Sequence, residues 1–66
     1  MPTQNVHAEL IRHYGTVTLK VYLPDDEKLY FAADSLKEAR RKCTPYIALL
    51  GYKLPIKSIH QYSFPV

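Results

Sequence analysis

Along the middle of the chain the apolar residues first recur every second position and then every third or fourth, with the change falling at Asp34-Ser35. In the segment Thr16-Val-Thr-Leu-Lys-Val-Tyr-Leu23 the alternation is unbroken. Val17, Leu19, Val21 and Leu23 point one way from an extended strand, and Thr16, Thr18, Lys20 and Tyr22 the other, which predicts a sheet with one buried face. Residues 6–14 are mixed but β-compatible, and Ala8 and Leu10 facing inward would place His7 and Glu9 outward. Tyr14-Gly15 offers a tight turn with glycine for a positive φ, so these two segments predict a hairpin. Pro24-Asp25-Asp26 supplies a second turn, and a third strand over residues 28–33 returns antiparallel, adding Leu29, Phe31 and Ala33 to the core face.

Ser35 and Glu38 stand in the S-x-x-E relation of a capping box, which marks a helix start. Leu36, Ala39, Cys43, Ile47 and Leu50 then follow helical spacing and form the stripe expected to cover the sheet. Pro45 within that run removes a backbone donor and crowds the preceding turn, and Thr44-Pro45 also reads as an N-cap followed by a first-turn proline. A helix kinked or broken near Thr44-Pro45 is the expectation. Gly51 is a natural residue to follow the helix, and Tyr52 to Pro55 leads to a last strand around residues 56–62. Ile56 and Ile59 have opposite parity there, which predicts a bulge or an edge position. The fold class expected is α+β, a small ββ(β)αβ domain with a mostly antiparallel four-stranded sheet under one helix. A last strand returning beside the first gives the order 3-2-1-4, with strands 1 and 4 parallel.

The length of 66 residues narrows this to one domain, residues 1–66, with the polar residues 1–5 expected to be flexible. A single cysteine, Cys43, excludes an internal disulfide and favours a reducing compartment. The opening residues show no signal-peptide pattern, and no apolar run suits a membrane span. A soluble, cytoplasmic protein with no membrane partner is expected. The net charge of +3 and pI of about 9.1 lean toward an anionic partner. Six tyrosines without a tryptophan exceed what so small a core needs, and tyrosine in surplus favours contact surfaces.

Two surfaces carry candidate chemistry. On the helix, Lys37, Arg40, Arg41 and Lys42 read either as a phosphate-contacting stripe or as the solvated face of an amphipathic helix. On the sheet, Lys20, Tyr22, Lys28 and Tyr30 lie opposite the helix beside Thr18, His7 and Glu9. That pattern suits stacking on bases with phosphate neutralisation, or plain cross-strand pairing. His7 and His13, six residues apart on one strand, stand about 20 Å apart and cannot share a metal ion. Cys43 falls on the core stripe and reads as a packed hydrophobe. Asp25, Asp26 and Glu27 crowd an exposed turn, where carboxylates are poorly placed for acid–base catalysis. No nucleotide-binding or nucleophile motif is present, so no enzyme, cofactor or metal is expected.

Three meandering strands followed by an amphipathic helix, over roughly residues 7–50, resemble AP2-type and integrase arm-type DNA-binding domains, in which the sheet enters the major groove. The glycines and tryptophan typical of those domains are missing. The same build occurs among small phage-encoded antagonists of host defence, some anti-CRISPR proteins included. The leading expectation is a small non-catalytic binding protein, an adaptor or inhibitor docking on a larger protein or nucleoprotein assembly. The alternative is direct nucleic-acid binding through the basic and tyrosine residues, as in a phage or mobile-element regulator. An open sheet also leaves two edges, and a homodimer through an edge strand is possible.

Overall fold

The computed structural model describes residues 3–62. The alternating segments become β2 (His7–His13), β3 (Thr16–Tyr22) and β4 (Lys28–Ala33), preceded by a short β1 (Gln4–Asn5). Helix α1 (Leu36–Leu49) follows, then β5 (Tyr52–Lys53), a single 3-10 turn (Ile56–Ser58) and β6 (Ile59–Tyr62). The main sheet has the order β4-β3-β2-β6, which is the expected 3-2-1-4. β2 and β3 pair antiparallel from His7 opposite Tyr22 to His13 opposite Thr16, and β3 and β4 pair antiparallel from Val17 opposite Ala33 to Tyr22 opposite Lys28. β6 runs parallel to β2, with Ala8 opposite Ile59. One helix on a mostly antiparallel four-stranded sheet is the α+β class the hydrophobic pattern implies.

Both turns form by the chemistry of their residues. Tyr14 (φ 40°) and Gly15 (φ 84°) are both left-handed, as a two-residue hairpin turn that matches strand twist requires. In the second turn Asp26 takes φ 61°, a value aspartate tolerates better than most side chains, and the Leu23 N–H donates to the Glu27 carbonyl at 2.8 Å. At the start of α1 the Ser35 hydroxyl accepts from the Glu38 N–H at 3.3 Å. At its end Gly51 adopts φ 86°, and the N–H groups of Leu50 and Gly51 donate to the carbonyls of Ile47 and Ala48.

The core lies between the sheet and α1. Ala8, Leu10, Val17, Leu19 and Val21 from the strands, with Leu23 just after β3, meet Ala39, Cys43 and Ile47 from the helix, all buried, with Leu29, Phe31, Ala33 and Leu36 packed at the margin. Four departures from the sequence expectation matter. First, of the kink or break expected near Thr44-Pro45 the break does not occur, and α1 runs as one helix of 14 residues with Pro45 inside it. Pro45 and Arg41 are both exposed, so water can satisfy the Arg41 carbonyl that proline leaves without a donor. Second, Leu50 is 51% exposed at the helix cap, and Leu54, returned by the reversal at Gly51, is buried in the core instead. Third, Gln4 and Asn5, placed within a flexible lead by their polarity, pair parallel with Tyr52 and Lys53. The N–H groups of Gln4 and Val6 donate to the carbonyls of Gly51 and Lys53, tying the lead to the segment after the helix. Fourth, Ile56 belongs to the 3-10 turn and is exposed, so the parity conflict with Ile59 resolves because only Ile59 lies in the edge strand β6.

Candidate functional site

Among the described residues no second layer covers the face of the sheet turned away from α1, and strand register arranges its side chains in rows. Glu9, Lys20 and Tyr30 are direct cross-strand neighbours on β2, β3 and β4, and His7, Tyr22 and Lys28 form the adjacent row. The expected residues Lys20, Tyr22, Lys28 and Tyr30 therefore share one surface, together with His7 and Glu9.

Their contacts are specific. The Tyr22 hydroxyl donates to Glu9 Oε1 at 2.6 Å, a short bond of the charge-assisted kind. The His7 imidazole stacks on the Tyr22 ring, with centroids 5.0 Å apart and planes within 19°. Lys20 Nζ lies over the Tyr22 ring at 5.1 Å from its centroid and over the Tyr30 ring at 6.0 Å. The hydrogen bond to Glu9 raises the Tyr22 pKa above its ordinary value, with desolvation adding to the rise and the Lys20 charge opposing it. Lys20 is raised as well, chiefly because the neighbouring Tyr22 hydroxyl favours its ammonium form. The result is an ordered aromatic and cationic cluster in which Tyr30 remains 62% exposed.

The four helix cations do not converge on one surface. Lys42 Nζ donates to the Ala32 carbonyl at 2.9 Å, so this side chain closes over the outer edge of β4. Arg40 lies on the opposite flank, half-buried toward β5, and Lys37 and Arg41 are exposed. Cys43 is fully buried among the core side chains, and burial pushes its thiol pKa up, opposed by the nearby Arg40 charge. Asp25, Asp26 and Glu27 are all exposed at the turn between β3 and β4. Among the described residues no three His, Cys, Asp or Glu side chains gather as metal ligands would, and no helix is long and apolar enough to cross a membrane.

The sequence pattern did not single out Tyr46 and Leu49, and it placed Leu50 on the core stripe, but the three form an exposed apolar group at the end of the helix. Tyr46 (52% exposed), Leu49 (89%) and Leu50 stand at i, i+3 and i+4, and Tyr46 packs edge-on against Phe31 of β4 at 5.9 Å. Leu49 lies off the stripe through Ala39, Cys43 and Ile47, which was the available signal that it faces solvent, whereas Tyr46, at i+3 from Cys43 and i+7 from Ala39, borders that stripe and is half-exposed at its margin. Tyr14, at the tip of the first hairpin, is 97% exposed. No protein-family model, curated protein or solved structure matches this chain.

Proposed function

We propose that this chain is a small, non-catalytic, cytoplasmic binding protein that docks on a larger protein or nucleoprotein assembly through the open face of its sheet. The observation that carries the reading is the cluster centred on Tyr22, whose hydroxyl is held by Glu9 and whose ring is occupied by His7 and Lys20. Aromatic side chains already fixed before association lose little rotamer freedom on binding, which is how tyrosine anchors favour protein interfaces.

The same geometry disfavours direct nucleic-acid binding. A ring stacked on histidine is not a free platform for a base, and the Glu9 carboxylate in the middle of the face repels phosphate. Lys42 is engaged at the β4 edge, Arg40 lies on the opposite flank, and only Lys37 and Arg41, one turn apart, share an exposed helix face. Exposed Tyr30, with Lys20 and Lys28 beside it, supplies the accessible anchor and its charged surround.

A photo-crosslinking residue in place of Tyr30 identifies the partner in cells, and the purified pair is then measured. The double variant Lys20→Ala/Tyr30→Ala should weaken that complex by about tenfold or more, while Lys37→Gln/Arg41→Gln leaves it unchanged. Titration with random-sequence duplex DNA and single-stranded RNA at two salt concentrations tests the alternative. Binding that falls steeply with salt and is lost on replacing Lys20 and Lys28 would replace protein docking with nucleic-acid recognition.

A further inference from the structure

A second concave surface lies on the helix side of the molecule, between α1 and β5. Its apolar lining includes Ile47 and Leu54, both buried, with Thr44 and Tyr52 beside them, and its charged groups are Arg40 and Lys53. Among the described residues no acidic side chain lines it. Glu38, two residues before Arg40, faces the other flank of the helix, beside Lys42 and Ala32. Arg40 Nε is shut off from solvent and has no hydrogen-bond partner among the described residues. A buried guanidinium N–H without an acceptor is uncommon, because arginine has only donors to offer and loses hydration when covered.

We infer that this groove binds an acidic peptide segment of a partner protein, taking a carboxylate onto Arg40 and Lys53 and an adjoining apolar side chain onto Ala48 and Tyr52, over the buried Ile47 and Leu54. Charge complementarity selects the anion, since two cations line the groove and, among the described residues, no carboxylate does. The planar guanidinium suits a carboxylate better than a point charge does, because Nε–H and one Nη–H together match its two oxygens. Arg40 lines the groove while its Nε is covered, so the side chain must turn before the orphaned N–H can meet an incoming oxygen. The apolar lining favours a peptide over a bare inorganic ion. This surface is separate from the open sheet face, and its occupation does not depend on the role of that face.

The test uses the whole chain and follows the Arg40 Nε–H resonance and the Tyr52 and Lys53 amides by NMR during titration with acetyl-Leu-Glu-Leu-amide. A saturable shift at these positions is expected, weakened about tenfold or more with acetyl-Leu-Gln-Leu-amide. Arg40→Gln should abolish the response, and Lys53→Gln, on an exposed side chain, should weaken it while leaving the rest of the spectrum in place. Tyr30→Ala should bind the peptide as the parent does. An unmoved Arg40 signal, an equal response to the Gln peptide or to inorganic phosphate, or an equal shift at Arg41 would overturn the assignment.

Discussion

Tyr22 is the residue whose ionisation is most tightly joined to its surroundings. Its raised pKa arises chiefly from the hydrogen bond to Glu9, so the protonated phenol is the form the folded state favours. The stabilisation from this bond is complete below the unfolded tyrosine pKa, near pH 10, and is lost as pH rises through the higher folded value. A spectrophotometric titration should show one tyrosine ionising above the ordinary range, and Glu9→Gln should bring that late step down. Cys43 makes a second residue-scale case. The thiol is fully buried and its pKa is raised, so a thiol reagent should label the native chain only at the rate at which it opens. Cys43→Ser should cost about 1–3 kcal/mol by burying a hydroxyl among apolar side chains, measured by denaturant unfolding. The alternation of Val17, Leu19 and Val21 was enough to assign both faces of β3, because a strand's side-chain period leaves no third direction. The links among Glu9, His7, Lys20 and Tyr22 were not legible, since they depend on rotamers and not on register alone.

At the scale of the element, α1 begins and ends on signals that short-range chemistry sets. Ser35→Ala should cost about 1 kcal/mol through loss of the bond to the Glu38 N–H. Gly51→Ala should cost about 1–2 kcal/mol, and the space around Gly51 is open, so that cost is backbone strain at φ 86° and not a clash. Pro45 was the harder residue to place. Its ring is incompatible with an internal hydrogen bond but not with a helix whose solvent side can be hydrated, and only the burial of each helix face decides between those outcomes. Pro45→Ala should accordingly raise the unfolding midpoint, by no more than about 3 kcal/mol in stability. Leu50 has the angular position of a core residue but caps the helix, whereas Leu54 reaches the core only through the reversal after it. Helical periodicity carries no information about that reversal, and the pairing of β1 with β5 escaped detection because two polar residues show no period at all.

For the molecule as a whole, the sheet is closed by its most distant pairing, that of β2 with β6. Removing residues 52–66 takes away β5 and β6 together, and with them Leu54 and Ile59 from the core. The remaining hairpins and helix should lose cooperative thermal unfolding, observed by circular dichroism. Amide exchange in the parent should be slowest in β2 and β3, which have a strand on either side, and faster in β4 and β6 at the margins.

The ammonium of Lys42 lies on the Ala32 carbonyl at one of those margins. An unpaired strand border is a template on which further chains can assemble, and here the template is interrupted at a carbonyl group. The helix thus limits lateral growth of the sheet it covers, a task quite separate from filling the core. Replacing Lys42 by methionine keeps the aliphatic stem and removes the donor, so the expected consequence is self-association without loss of the monomer's secondary structure. Light scattering across a concentration series would register it as particles that grow with time, and a variant that stayed monodisperse would mean that the border is protected by its other side chains.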